Sequence, residues 1–303
     1  MSRIGVVVTS FGQGGLVAEA VRSALDQTRP PEIVVVVDDG STDSESLLVL
    51  RELETQPDVQ VLRQTNSGVS AARNAGLRAL TTELAVVLDG DDRIAPTFVE
   101  RTAAVLEADP DVLAASAWLR MHGVADALVC PRGGTVRDFL DRNACPATVL
   151  LRREVSLRTG GYPEEMREGF EDWDFFLTLL TDGGRVAIVE EPLIQYRTAP
   201  DSANVRSMER RLELYAEIVD RHEPVFRRHL KDVLIAHEAR SIAALARWED
   251  HMVANPTIPI EQATYGDGGM AAVVRIATRR QDVATDAANS RPRTGMPGGP
   301  TRE

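Results

Sequence analysis

Leu84-Ala85-Val86-Val87-Leu88-Asp89-Gly90-Asp91-Asp92 sets an unbroken apolar run directly against three carboxylates in four positions. A run of this length, closed by turn residues, reads as a strand buried on both faces, the kind found in a parallel sheet. Like charges crowded at its end repel one another, so raised pKa values follow unless a cation neutralises them. Such a strand end suits Mg²⁺ or Mn²⁺, hard ions that take carboxylate oxygens and keep positions open for a substrate's phosphates. Taken alone, the four residues read equally as a polar turn capping the next helix.

Outward from this strand the same grammar repeats. Residues 4–9 (Ile-Gly-Val-Val-Val-Thr) and 33–37 (Ile-Val-Val-Val-Val) are β-branched runs, and between them Leu16, Ala20, Val21, Ala24 and Leu25 recur at helical spacing. A helix over 44–55, a strand over 59–62 and a helix over 69–80 complete the alternation. Alternating elements predict an α/β fold: a mixed, mainly parallel sheet with flanking helices and ligands at the carboxyl ends of its strands. Beyond it, a helix is expected from Pro96 to about Ala108, a strand over 112–118, a loop-rich stretch over 120–146, a strand over 147–151 and a helix over 171–180. Residues 205 to 250 read as amphipathic helix, with Leu212, Tyr215, Ile218, Val219, Phe226, Leu230, Leu234 and Ile235 as its apolar set. That face could pack on the first domain or on another subunit, so a homo-oligomer through the C-terminal helices is one expectation. The expected organisation is therefore a domain over 1–204, a helical segment over 205–253, an extension of open structure over 254–281 and a disordered tail over 282–303.

Composition narrows the function. A chain of 303 residues with 43% hydrophobic content can bury a large core, and its formal charge of −12 argues against a nucleic-acid partner. No window approaches the roughly 18 consecutive apolar residues of a membrane span, which predicts no integral span and a cytoplasmic location, with peripheral membrane attachment left open. Cys130 and Cys145 lack metal-binding spacing, and Lys231 is the only lysine, which removes a lysine-based phosphate loop. His222, His229 and His237 fall in one charged helical region and are expected to be solvated.

Three further segments carry chemistry. Asp38-Asp39-Gly40-Ser41-Thr42-Asp43 ends the second strand, where a carboxylate can accept from a base N–H or a ribose hydroxyl. Gln64 to Gly76 leaves the third strand through a glycine turn and enters a helix carrying Arg73, which could reach a phosphate, a ribose or the acidic clusters. Gly160-Gly161-Tyr162-Pro163 precedes Gly169-Phe170-Glu171-Asp172-Trp173-Asp174-Phe175-Phe176, whose adjacent carboxylates suit either an acid/base role beside a sugar face or an acidic helix cap.

In this order and at these strand ends, VVVTSF, VVVVDDGSTD, NSGVSAARNAG, VVLDGDD, GGYPE and GFEDWDFFL resemble the nucleotide-sugar-binding domain of the GT-A fold, specifically family 2 glycosyltransferases, over about residues 3–200. The resemblance implies that Thr9, Phe11 and Asp39 hold the nucleobase and ribose, with Phe11 stacking and Asp39 accepting from the uracil N–H. It places Arg73 near the uridine or diphosphate. Asp89 and Asp91 become the DxD pair, with Asp91 beside ribose and metal, Asp92 as a further ligand, and Mn²⁺ or Mg²⁺ as the cofactor. Asp172 takes the position of the catalytic base, with Glu171 shaping the acceptor side, and Arg197 of the Tyr196-Arg197 pair would close over the diphosphate. The implied activity is inverting, metal-dependent transfer of a sugar from a nucleotide-sugar donor, a UDP-sugar by first expectation, to a hydroxyl acceptor that is a glycan, lipid-linked or a small molecule. A non-catalytic nucleotide-sugar or glycan-binding module of the same fold is the alternative. Asp172 is expected near the usual aspartate pKa of about 4 and therefore ionised at neutral pH. Two departures stand out: Gly12-Gln13-Gly14-Gly15 replaces an Asn found in many relatives, which suggests a more mobile donor loop, and no histidine follows the Tyr196-Arg197 pair.

Overall fold

The computed structural model describes residues 1–289 apart from 201 and 265. The β-branched runs form β1 (Ile4–Ser10), β2 (Ile33–Asp38), β3 (Val59–Arg63) and β4 (Leu84–Asp89). They lie in the order β3-β2-β1-β4 and pair in parallel throughout. All seven residues of β1 are buried because helices cover both faces. On one face α1 (Leu16–Leu25) packs Val17, Ala20, Val21 and Ala24 into a core with Val6, Val8, Val34 and Val36. On the other, α3 (Val69–Ala79) brings Gly76 against Val7. Between them α2 (Ser44–Leu53) starts at Asp43, whose carboxylate accepts from the Ser46 amide at 2.8 Å.

The chain steps outward from β1 to β3, then returns to lay β4 on the other side of β1. The carboxyl ends of β1 and β4 thus flank the point where strand order reverses, the place where open α/β sheets hold ligands. Thr9 and Asp89 are register partners at this point.

The second half of the sheet is mixed. After β5 (Arg93–Ile94) and α4 (Phe98–Ala108) come β6 (Val112–Gly123), β7 (Leu128–Val129), a 3-10 turn over Val136–Phe139, β8 (Val149–Arg152), α5 (Arg153–Arg158), α6 (Glu171–Leu180) and β9 (Arg185–Thr198). β8 runs antiparallel between β4 and β6, whereas β9 runs parallel to β6 along most of its length. The α/β class with a mixed sheet and flanking helices is as the sequence predicts. Three strands are additional: β5 and β7, each only two residues long, and β9, where Glu190-Glu191-Pro192 breaks the alternation. Register shifts beside Trp118, which faces Pro192, absorb that break.

The first compact unit ends at Leu230, not at 204. The difference has a physical cause in α8 (Arg211–Arg221) and α9 (Glu223–Arg228), which follow α7 (Ala203–Glu209). They bury Leu214, Ile218, Val225 and Phe226, and Tyr215 stacks on Trp173 of α6 at 5.4 Å while donating to the Leu140 carbonyl at 2.8 Å. Asp174 of α6 accepts from Arg221 Nε at 2.7 Å and lies 2.8 Å from His222 Nε2. His222, expected to be solvated, is therefore buried against a carboxylate.

The second unit, which begins at Lys231, carries two helices among the described residues: α10 (Leu230–Ala254) and α11 (Gly269–Asn289), which returns along it. Arg275 pairs with Glu249, Arg279 with Asp250, and Arg280 with the Met252 carbonyl. α11 takes in residues 282–289 of the tail expected to be disordered, because those arginines tie its middle to α10; residues 290–303 lie outside the described residues. No helix among the described residues is long and apolar enough to cross a membrane.

Candidate active site

Arg73 is the centre of the site. Its side chain, 2% exposed, donates from one terminal nitrogen to both Asp89 oxygens at 2.9 and 3.0 Å and from the other to Glu171 at 2.9 Å. Its guanidinium also sits 5.1 Å from the Tyr162 ring centroid. Burial alone would lower its pKa, but the two carboxylates outweigh burial and hold it above the ordinary arginine value. A guanidinium so enclosed must be paired, since an isolated buried charge costs several kcal/mol. The guanidinium thus links the β4 strand end to the start of α6.

Asp89, the first residue of the acidic cluster, accepts from Thr9 Oγ1 at 3.1 Å besides Arg73, and these bonds use three of its roughly four acceptor positions. Asp92 Oδ1 accepts from the Arg197 backbone amide at 2.8 Å, and the charge of the Arg197 side chain acts on both Asp91 and Asp92. Asp91 Oδ1 has a 3.4 Å contact with Gln13 Nε2. Burial first, and the neighbouring Asp89 second, push both carboxyls above the usual range, Asp92 strongly. The Arg197 charge pulls the other way without cancelling these effects, and the oxygen donor set fits Mg²⁺ or Mn²⁺. Among the described residues no group of three or more His, Cys, Asp or Glu is placed to hold a metal ion by itself. Gly90 is required here, because a Cβ would lie 2.3 Å from the Thr9 carbonyl.

On the nucleoside side, Phe11 is 56% exposed and free to stack. Asp39 is buried and accepts from Gln64 Nε2, Ser67 N and Gly68 N, each at 2.8 Å, so it orders the turn into α3. Three of its roughly four acceptor positions are used, which leaves one for a ligand N–H. The Gly12–Gly15 loop, expected to be mobile, is tethered to the β2–α2 connection. Gly12 N donates to Ser41 Oγ at 2.8 Å, Gly14 N to Ser46 Oγ at 2.9 Å, and Gly15 N to Glu45 at 3.2 Å.

On the opposite side, Phe170 takes the left-handed conformation (φ 65°) and turns the chain into α6. Such a residue costs about 1–3 kcal/mol and persists only where packing fixes it. Here the ring lies 5.2 Å from Trp173, with the Arg211 guanidinium 5.7 Å away. The turn presents Asp172 in the first helical turn, where Oδ1 accepts from Trp173 N and Oδ2 from Asn143 Nδ2, both at 2.8 Å. Burial, then the Glu171 charge, push the Asp172 carboxyl up to about 7, against the opposing pull of Arg73. The near-normal aspartate expected from sequence is thereby corrected. Asp89, Asp92, Arg73, Glu171, Asp172 and Tyr196 all line one cavity of about 480 Å³. Phe170 also lines it, as do Asn143 and Arg211, which no pattern in the sequence marked.

Residues 5–125 match the family model described as Glycosyl transferase family 2. An uncharacterized glycosyltransferase YibD of Escherichia coli (strain K12) is 30% identical over 112 residues, which cover 37% of this chain and 33% of that protein. An uncharacterized glycosyltransferase EpsJ of Bacillus subtilis (strain 168) is 22% identical over 213 residues, covering 66% and 62%. The chain thus spans between a third and under two thirds of the length of these relatives. Among solved structures, S. aureus TarS 1-349 in complex with UDP-GlcNAc superposes with a TM-score of 0.57 at 20% identity, covering 66% of this chain and 60% of that one.

Proposed function

We propose, from the premise that this chain carries a family 2 glycosyl transferase domain of the GT-A fold, that it is an inverting, metal-dependent transferase moving a sugar from a UDP-sugar to a hydroxyl acceptor. One observation carries the reading: a single cavity is lined by Asp89 and Asp92 of the acidic cluster at the end of β4 and by Asp172 of α6, with Arg73 bonded to Asp89 on one side and to Glu171 on the other. The UDP-GlcNAc complex of the TarS relative supports a UDP-sugar over other donors.

In this mechanism Phe11 stacks on the nucleobase and Asp39 accepts from its N–H. Asp91, with Asp89 and Asp92 beside it, would hold the divalent cation. That ion, when bound, neutralises charge on the departing diphosphate. Asp172 takes the proton of the acceptor hydroxyl as its oxygen bonds to the anomeric carbon. The acceptor oxygen enters on the face opposite the diphosphate, the bond from that carbon to the diphosphate breaks, UDP leaves with the electron pair, and the configuration inverts. A base held near pH 7 accepts a proton readily without being idle at neutral pH, the balance general-base catalysis needs.

The test pairs a UDP-release screen over UDP-sugars, with and without EDTA, with the variant Asp172→Asn. Turnover should fall by about 10²-fold or more, the usual scale for a lost general base. UDP affinity should stay within about twofold of the parent, since Asp172 lies away from the nucleoside. Near-parental turnover in Asp172→Asn would remove the base assignment, and EDTA-insensitive release would remove the cation.

A further inference from the structure

Asn143 makes the one hydrogen bond to Asp172 that comes from outside α6 among those described. It stands on the loop between the 3-10 turn and β8, in a stretch where the sequence shows only weak pattern. Its amide is not free to rotate. The Cys145 backbone N–H donates to Asn143 Oδ1 at 3.2 Å, which fixes that atom as the oxygen and turns Nδ2 toward the Asp172 carboxylate at 2.8 Å. An Asn side chain closing on an amide two residues ahead is a self-locking turn, so the donor is set before any ligand enters.

We infer that Asn143 is a positioning residue for the proposed base: its Nδ2 fixes the orientation of the Asp172 carboxylate and stabilises its anionic form. The inference rests on the general-base reading of Asp172. A donor aimed at Oδ2 favours the ionised state, and it points the remaining lone pairs into the cavity that both residues line. Other groups act on the same carboxylate. Glu171 of α6 and Asp89 of β4 oppose its ionisation and Arg73 of α3 favours it, while Cys145 of the loop and Tyr162 of the turn before α6 feel its charge from their own buried positions. Among these, Asn143 is the neutral donor that contacts the carboxylate directly.

The experiment compares parent, Asn143→Ala and Asn143→Ser as full-length chains across pH 5 to 9, measuring donor consumption and acceptor-product formation together with UDP affinity by calorimetry. Asn143→Ala should move the ascending limb of kcat/KM upward by about one pH unit, the order expected for losing one hydrogen bond to a charged group. UDP affinity should be unchanged, and Asn143→Ser, which keeps a hydroxyl donor, should restore part of the shift. A uniform loss of rate with an unmoved pH profile overturns the inference, because it marks a loop that merely supports the fold. So does an unaltered profile at full rate. If instead Asp172→Asn itself retains turnover, the base reading fails first and independently of Asn143.

Discussion

At the residue scale, the charge on Asp172 is set by neighbours that can be changed one at a time. Glu171 raises its pKa by like-charge repulsion and also occupies one arm of Arg73. Glu171→Gln removes the repulsion and leaves Arg73 less neutralised, and both changes favour the Asp172 anion. The ascending limb of the pH profile should therefore move to lower pH, by about one unit. Measurement of kcat/KM against pH checks this, and an upward shift would refute the electrostatic account. Together with Asn143→Ala the two variants move the same limb in opposite directions, which global damage to the fold cannot do. The residues of this site were unequally legible in the sequence. Asp89 to Asp92 and Asp39 stand at strand ends that the apolar runs announce. The role of Arg73 was not legible, since a helix position does not say whether a guanidinium faces a ligand or two buried carboxylates. Asn143 and His222 were invisible for a related reason: their partners lie 29 and 48 residues away, beyond any periodicity.

At the scale of elements, β1, β2 and β4 were legible because parallel strands buried on both faces need continuous β-branched runs. β9 was not, because its charged and proline residues are accommodated by a register shift against β6 and not by alternation. The packing of α3 on β1 offers a direct test of how closely these layers fit. Gly76 is buried in α3, and a Cβ there would lie 2.3 Å from Val7 Cγ1. In an exposed helix Gly→Ala stabilises by about 1 kcal/mol. Here the clash falls on a β-branched side chain locked in the middle of a strand, so the helix or the strand must shift. Gly76→Ala should thus destabilise by about 1–3 kcal/mol in urea unfolding, the range for overpacking a core. A stabilised variant would mean that α3 stands further from the sheet.

At the scale of the whole molecule, the question is where the catalytic unit ends. The sequence motifs stop near Thr198, and a boundary at 204 follows from them, but the motifs record chemistry and not packing. α6 carries both Asp172 and Asp174, and the partners of the Asp174 carboxylate among the described residues, Arg221 and His222, lie beyond that boundary. Burial alone would raise the Asp174 pKa, yet those two partners hold it below the usual value. A chain cut at residue 204 loses them, together with buried Leu214, Ile218, Val225 and Phe226. It leaves a carboxylate unpaired inside the fold, a change of the kind that costs about 3–5 kcal/mol. That is a large share of the roughly 5–15 kcal/mol that holds a domain together. A chain ending at Leu230 keeps every one of these partners and the whole sheet. The 1–230 chain should therefore unfold in one cooperative transition and bind UDP as the full chain does. The 1–204 chain should be poorly soluble or unfold at markedly lower urea, with UDP affinity falling alongside because α6 loses its support. If the 1–204 chain matches the longer one in both stability and UDP affinity, the pairing of Asp174 with Arg221 and His222 is dispensable, and the donor site depends on the sheet alone.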